Sequence, residues 1–201
     1  TSATSPSGAS GILGGSETSF SLVAGSSAVE VSPNENINFV DPVMIAKSGD
    51  RLMQEEAVDA LRTLLIPLAQ VVTPNAPEAA ILAGRDIETL DDARAAAYDI
   101  IAMGAKSVVV KGGHLPGPAT DIMFDGVEVR AFTAQRINTT STHGTGCTFA
   151  SAIAVGLSKG RSVRDAVSDA KTYVTSCIRH AFPMGLGHGP LNHFHSLWDD
   201  R

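Results

Sequence analysis

A glycine-rich segment toward the C-terminal end of the chain has the residue types of an anion-binding loop. It reads His143-Gly144-Thr145-Gly146-Cys147-Thr148 and is followed by an apolar, small-residue run over 149–155. This order predicts a tight loop that opens a helix, because glycine lets backbone N–H groups turn inward without a Cβ in the way. The N-terminus of a helix carries a partial positive charge and unpaired N–H donors, which favour a bound anion such as phosphate.

Cys147 falls in the first turn of the predicted helix, where the same field favours the thiolate over the thiol. A thiolate beside a bound phosphate could serve as a base. The alternative is a glycine-rich turn into a packed helix, with Cys147 as a small buried residue, and the segment alone leaves both open. It is neither a Walker loop, which needs Gly-Lys-Ser/Thr, nor a dinucleotide fingerprint.

Three polar residues at predicted strand ends supply the context for this loop. Strands are predicted at 37–40, 70–73 and 107–111, alternating with helices at 54–66, 75–84 and 89–103. Such alternation predicts an α/β fold with a mostly parallel sheet, whose ligands bind beyond the carboxyl ends of the strands. Asp41, Asn75 and Lys111 should therefore gather with the Gly144–Cys147 loop at one edge of the sheet. This convergence favours the phosphate-binding interpretation.

The remaining elements are a hairpin and two helices. Asp125-Gly126, between apolar segments at 122–124 and 127–129, is a strong β-hairpin signal. Helices are predicted at 147–158 and at 163–182, the second capped by Ser162. Residues 1–36 are rich in Ser, Gly, Thr and Ala without a convincing period, and we interpret them as a low-complexity or degenerate N-terminal part of the fold. We expect residues 37–201 to form the phosphate-binding core of a single domain.

Composition excludes several classes of partner. The chain has 201 residues and a formal net charge of −6. This charge and the lack of a Lys/Arg-rich run argue against a nucleic-acid or membrane-surface partner. No apolar run is long enough to cross a bilayer, and nothing at the N-terminus resembles a secretory signal. Cys147 and Cys177 stand outside any paired metal motif, so we expect free thiols and a cytoplasmic location.

With these segments assembled, the chain resembles the hydroxymethylpyrimidine/phosphomethylpyrimidine kinases of thiamine biosynthesis, within the ribokinase-like fold. Five sequence motifs occur in the order and spacing of this family over residues 37–198, and together they are far more specific than any one of them alone. The motifs span Asp41-Pro42-Val43-Met44-Ile45-Ala46-Lys47-Ser48-Gly49-Asp50, Thr73-Pro74-Asn75-Ala76-Pro77-Glu78, Lys111-Gly112-Gly113-His114, Thr142-His143-Gly144-Thr145-Gly146-Cys147-Thr148 and Gly187-His188-Gly189-Pro190-Leu191-Asn192-His193.

The resemblance implies two ATP-dependent phosphorylations, of 4-amino-5-hydroxymethyl-2-methylpyrimidine and then of its monophosphate. It implies that the backbone of Gly144, Thr145 and Gly146 holds the transferring phosphoryl group and that Lys111 contacts phosphate. Cys147 would stand where ribokinase relatives carry an aspartate base, although an alcohol attacking a loose transition state needs little deprotonation, so a direct base role stays open.

The resemblance assigns further residues to the nucleotide and to Mg²⁺. Nucleotide-binding residues would be Asn75, Glu78, Asp41, Lys47 and Thr142, with Glu78 and Asp41 near Mg²⁺, which commonly takes one or two carboxylates. Structural alternatives stand beside these roles. Asn75 and Glu78 have the spacing of a helix capping box, Asp41 could receive backbone N–H groups before Pro42, and Lys111 could form an ion pair.

The match is incomplete toward the N-terminus. On the order of a third of a usual family member is absent, and most of the pocket that grips the pyrimidine should lie in that portion. Segment 5–12 is similar to an early Gly-rich family loop, whereas 11–17 is similar to a later strand end. Ser141 replaces the Asn that precedes Thr-His-Gly in the family, and we expect this change to weaken one loop-bracing bond.

Two other functions compete with the pyrimidine kinase. The first is a pyridoxal/pyridoxine kinase on the same fold, since such enzymes share Gly-Thr-Gly-Cys. The second is a non-catalytic nucleotide-binding remnant, which would bind ATP and Mg²⁺ without turnover. The resemblance also implies a homodimer, because family members often dimerise, and it leaves open which of the two phosphorylations is retained.

Overall fold

A six-stranded sheet forms the centre of the molecule. The computed structural model describes residues 20–23, 37–46, 49–184 and 187–197. The strands lie side by side in chain order. They are β1 (Phe20–Val23), β2 (Ile37–Val40), β3 (Val71–Val72), β4 (Val108–Val110), β5 (Ala119–Phe124) and β6 (Val129–Ala134). The first four are parallel, and β5 and β6 are antiparallel to their neighbours. The mostly parallel α/β sheet with a hairpin toward the C-terminus is therefore confirmed.

In the described part of the chain, five α-helices cover the sheet. They are α1 (Glu55–Ala60), α2 (Ala76–Ala83), α3 (Leu90–Ala102), α4 (Thr145–Ser158) and α5 (Val163–Arg179). Three of them begin where the sequence places a cap. The side chains of Asn75, Thr89 and Ser162 each accept a hydrogen bond from the backbone N–H three residues later. These bonds satisfy amides that have no partner within a helix. Local chemistry thus sets the start of α2, α3 and α5.

The helices form two layers because successive strand residues point to opposite faces. Val72, Val108 and Val110 pack with the apolar side chains of α1, α2 and α3. Val71 and Val109, the residues that immediately precede Val72 and Val110, pack with the apolar side chains of α4 and α5. Burying such a side chain completely stabilises the fold by roughly 1.5–3 kcal/mol. The near-continuous valine runs of β3 and β4 are therefore explained by burial on both faces.

The first helical segment departs from the sequence prediction. After α1 the chain continues as a π-helical turn, Leu61–Leu65, and then as a short 3₁₀ turn, Ile66–Leu68, which contains Pro67. Pro67 therefore does not end the helix. The wider π turn rotates each residue by less than an α-helix does. As a result Ile66 is buried, whereas Leu64 is 69% exposed.

Two other elements differ from expectation. In the hairpin, Asp125 accepts hydrogen bonds from the amides of Val127 and Glu128, so these residues form the turn and β6 begins only at Val129. Strand β1 lies in the N-terminal region where no periodicity was found, and it pairs in parallel with β2. Among the described residues, no helix has the length and apolarity that crossing a membrane requires.

Helix α4 depends on a close approach to α5. A Cβ added at Gly156 would lie 2.8 Å from the Cβ and 3.1 Å from the Cα of Ala166. We expect Gly156→Leu to force the two helices apart and to lower the free energy of unfolding by about 1–3 kcal/mol. Urea denaturation measures this loss.

Val155→Leu is the matched control, because Val155 is the preceding residue of α4 and is 51% exposed. We expect its unfolding free energy to stay within about 0.5 kcal/mol of the unmodified value. Equal stability of the two variants would show that the helices can separate without cost.

Candidate functional site

Lys111 lies at the centre of the predicted site, immediately after β4. Its backbone N–H donates to the carbonyl of Pro74 at 2.8 Å, which holds the chain beside the start of α2. Its ammonium donates to Asp41 Oδ1, also at 2.8 Å. The side chains of Lys111 and Asp41 are only 13% and 4% exposed. A cation at such a depth is costly without a partner, so the structural alternative for Lys111, an ion pair, is formed.

Asp41 is held from a second direction. It follows β2 directly, and the hydroxyl of Thr73, after β3, donates to the same Oδ1 at 2.9 Å. Thr73 is fully buried. The carboxyl ends of β2, β3 and β4 therefore each contribute one side chain to a single hydrogen-bonded cluster. The predicted convergence at this edge of the sheet is observed for Asp41 and Lys111.

The N-terminus of α4 comes to the same cluster. A Cβ placed on Gly146 would lie 3.4 Å from Lys111 Nζ, so the ammonium is adjacent to the first turn of α4. The amides of Gly146 and Cys147 have no acceptor within the helix, and no other acceptor for them lies in the described part of the chain. Unpaired amides, a helix N-terminus and a lysine ammonium together make a site for an anion.

The turn that leads into α4 has a defined geometry. Gly144 is the N-cap, with a φ of 82° in the left-handed region that favours glycine. The Thr145 hydroxyl donates to the carbonyl of Thr142 at 2.9 Å, and the Thr148 hydroxyl donates to that of Gly144 at 2.8 Å. The side chains of Thr145 and Thr148 are thus engaged with the backbone.

A segment near the C-terminus braces this turn. The amide of His143 donates to the carbonyl of Gly189 at 3.0 Å, so the backbone of His143 ties the loop to this segment. A Cβ on Gly189 would lie 2.6 Å from Ser141 Oγ. Ser141, which stands in place of the family Asn, donates this hydroxyl to the carbonyl of Phe182 at 3.3 Å. Ser141 therefore ties the turn before α4 to the segment that follows α5.

Asn75 and Glu78 form the capping box that was the structural alternative. The Asn75 amide donates to Glu78 Oε2 at 2.7 Å, and the Glu78 amide donates to Asn75 Oδ1 at 2.9 Å. Burial raises the pKa of the Glu78 carboxyl above its ordinary value, the Lys111 charge and the Asn75 amide oppose the rise, and the Asp41 charge adds to it. Glu78 therefore belongs to the same electrostatic cluster as Asp41 and Lys111.

The thiol of Cys147 is accessible. Cys147 occupies the first turn of α4, as predicted, and it is exposed. The alternative that Cys147 is a small buried residue is therefore wrong. It lies at a cleft of 720 Å³ between α4 and α5, to which Ser151, Val155 and Tyr173 also contribute.

Two further residues, Lys47 and Thr142, were predicted to bind the nucleotide. Lys47 lies outside the described residues. Thr142 is half-buried in the turn before α4 and takes part through its carbonyl oxygen, as described above. No group of three or more His, Cys, Asp or Glu side chains suited to a metal occurs among the described residues. Asp41 and Glu78 are thus two carboxylates without a complete protein cage, which fits Mg²⁺ since that ion commonly keeps water and phosphate ligands.

Sequence reasoning missed three supporting residues. Asp121 and Lys171 form a buried ion pair beside the Gly112 turn. Arg136 donates to the carbonyls of Gly113, Leu115 and Gly117, which follow Lys111. The available signals were a carboxylate inside the apolar strand β5 and a lysine beside the core-facing residues of α5. Neither signal identifies a partner, because the two residues lie 50 positions apart.

Comparison with known proteins identifies the family. The family model described as phosphomethylpyrimidine kinase matches residues 15–192. A hydroxymethylpyrimidine/phosphomethylpyrimidine kinase of Rhizobium meliloti is 51% identical over 166 residues, and one of Bacillus subtilis is 46% identical over 157 residues. The chain belongs to the phosphomethylpyrimidine kinase family. These two family members are covered over 62% and 58% of their length, so the chain spans less than two thirds of either.

A solved structure supports the fold of this phosphomethylpyrimidine kinase family member. The pyridoxal kinase of Bacillus subtilis, described as an ADP complex, has a TM-score of 0.71 and 39% identity to the chain. The match covers 79% of the chain and 59% of the pyridoxal kinase. The predicted ribokinase-like α/β fold is thus confirmed.

Glu78 gives a pH-dependent test of the cluster. Because its pKa is raised in the folded state, the protonated form stabilises the fold, and that contribution is lost as pH rises through the folded pKa. Glu78→Gln removes the charge and keeps an oxygen for the Asn75 amide. We expect the stability of this variant, relative to the unmodified protein, to increase as pH rises from below 4.5 toward 7. Urea denaturation across this pH range measures the trend.

Glu56→Gln is the control, since Glu56 is exposed in the first turn of α1. Its relative stability should not increase with pH. If the relative stability of Glu78→Gln fell with pH, the attraction of Lys111 would outweigh the cost of burying the carboxylate.

Proposed function

We propose that this chain is a kinase that phosphorylates 4-amino-5-hydroxymethyl-2-methylpyrimidine and then its monophosphate with ATP, with residues 37–201 as its nucleotide-binding core. The observation that carries the proposal is the adjacency of the Lys111 ammonium and the first turn of α4. The amides of Gly146 and Cys147 bind the terminal phosphoryl oxygens there, and Lys111 neutralises their charge. Phosphoryl transfer depends mainly on such positioning and charge stabilisation.

In the first phosphorylation the hydroxymethyl oxygen of the pyrimidine bonds to the terminal phosphorus of ATP, and in the second an oxygen of the monophosphate does so. The bond between that phosphorus and the bridging oxygen breaks, and ADP leaves. The alcohol proton goes to the sulfur of Cys147, which is accessible in the first turn of α4.

The carboxylates of Glu78 and Asp41 are the groups that would hold Mg²⁺. Both lie beside Lys111, and an ion coordinated there would retain phosphate and water ligands. When bound, Mg²⁺ neutralises phosphate charge. Asn75 keeps the Glu78 side chain in place through the capping box, whereas Lys47 and Thr142 complete the proposed nucleotide contacts. We further propose that the protein acts in the cytoplasm as a homodimer.

A pyridoxal kinase is the second candidate. The observation that favours it is the similarity, at 39% identity, to the Bacillus subtilis pyridoxal kinase described as an ADP complex. Both kinases transfer phosphate to a hydroxymethyl group on a six-membered aromatic ring, so the nucleotide half does not separate them. A third outcome is nucleotide binding without turnover.

Parallel assays of ATP consumption test the proposed reaction. We expect turnover with the pyrimidine alcohol and with its monophosphate, and little with pyridoxal. Cys147→Ala should lower turnover by about 10²-fold or more, because the proton acceptor is removed, while circular dichroism and ATP affinity stay unchanged. Phosphorylation of pyridoxal alone would reverse the choice of substrate, and unchanged turnover by Cys147→Ala would exclude the base role.

Gly146→Asp tests the anion site itself. The introduced carboxylate would lie against Lys111 Nζ in the first turn of α4, where a negative charge stabilises a helix by about 0.3–1 kcal/mol. We expect a folded protein whose ATP affinity falls at least about tenfold, because the carboxylate occupies the place of the phosphate. Isothermal titration calorimetry measures the affinity.

Ser151→Asp is the matched control, because it adds the same charge at an exposed position farther along α4. Its ATP affinity should change by less than about threefold. Similar losses of ATP affinity in both variants would indicate a general effect of charge. Unchanged ATP affinity of Gly146→Asp would show that phosphate does not bind at this position.

A further inference from the structure

A buried ion pair behind the proposed phosphate site has no role in the reaction described above. Lys171 Nζ, on α5, donates to Asp121 Oδ2, on β5, at 2.7 Å. The two side chains are 15% and 7% exposed. Buried ion pairs add little net stability compared with apolar residues of the same size. A contribution to the fold alone therefore gives no reason for a charged pair at this position.

The second oxygen of Asp121 shows what the pair holds. Asp121 Oδ1 accepts the backbone N–H of Gly112 at 3.0 Å, and Gly112 is the residue directly after Lys111. An ionised carboxylate is a stronger acceptor than a neutral group. Lys171 supplies the counter-charge that a carboxylate buried to this depth needs.

The Gly112 turn packs closely against β5. A Cβ at Gly112 would lie 1.8 Å from the carbonyl oxygen of Thr120, so the backbone is in direct contact with β5. On the other side, the Lys111 amide is bonded to Pro74. The backbone that carries the Lys111 side chain is thus fixed by one hydrogen bond before its Cα and one after it.

We propose that Asp121, held by Lys171, is a positioning residue for phosphate binding. By accepting the Gly112 N–H it fixes the turn after β4, and this turn directs the Lys111 ammonium to the first turn of α4. The inference rests on the proposed function, because it requires that ATP phosphate binds at that ammonium. It adds to that function a residue pair that does not itself contact the phosphate.

Substitutions at Asp121 separate positioning from stability. Asp121→Ala leaves the Gly112 N–H without an acceptor, and we expect the Michaelis constant for ATP to rise about tenfold. The Michaelis constant for the alcohol should change by less than about twofold, because the substitution loosens one turn and leaves the rest of the domain in place. Steady-state kinetics and calorimetric ATP affinity measure these effects.

The double variant Asp121→Asn with Lys171→Met is the rescue. Asn retains an oxygen for the Gly112 N–H, and Met removes the cation that would otherwise be buried without a partner. We expect its ATP affinity to lie within about threefold of the unmodified protein. This variant also gives the measurement if Asp121→Ala fails to fold. Arg94→Met is the control, because it breaks the exposed pair with Asp91 and should leave ATP affinity unchanged.

The outcomes distinguish this inference from the function on which it rests. Normal ATP affinity in folded Asp121→Ala would overturn the positioning role and leave the kinase proposal intact. A loss of affinity in the folded double variant as large as that in Asp121→Ala would also overturn it, because the retained acceptor would then be irrelevant. If the unmodified chain fails to bind ATP, the proposed function fails and the inference fails with it.

Discussion

The ion pair between Lys111 and Asp41 is the constraint on which the site depends. A lysine at the end of the buried strand β4 must meet an anion, and Asp41 at the end of β2 supplies it at 2.8 Å. The parallel arrangement of β2, β3 and β4 brings these two residues and Thr73 to one edge. The ammonium retains further donors, and α4 delivers its unpaired amides beside them.

The supporting shell is built from elements that are distant in sequence. Strand β5 contributes Asp121, α5 contributes Lys171, and the C-terminal segment braces the turn at His143. Each contact fixes backbone rather than reacting atoms. A phosphate site made largely of main-chain amides needs such support, because small displacements of the donors weaken binding and catalysis. The chain belongs to a kinase family, and these backbone contacts are the physical basis of the proposed phosphate site.

Features encoded by a few neighbouring residues were predictable from the sequence. The capping boxes at Asn75 and Thr89, the Asp125-Gly126 hairpin and the glycine-led start of α4 all follow from local chemistry. The π-helical turn at Leu61–Leu65 was not predictable, because tertiary packing selects Ile66 over Leu64 for the core. The pairing of Asp121 with Lys171 was missed for a related reason, since a single sequence contains no signal that joins residues 50 positions apart.

The chain order of the two helix layers has a consequence for biosynthesis. Val71, Val109 and Met123 face α4 and α5, and both helices come after residue 144. On the ribosome, the strands emerge first, and the helices that bury this apolar face of the nascent sheet leave the exit tunnel last. Translation that stops early would therefore release a polypeptide prone to aggregate.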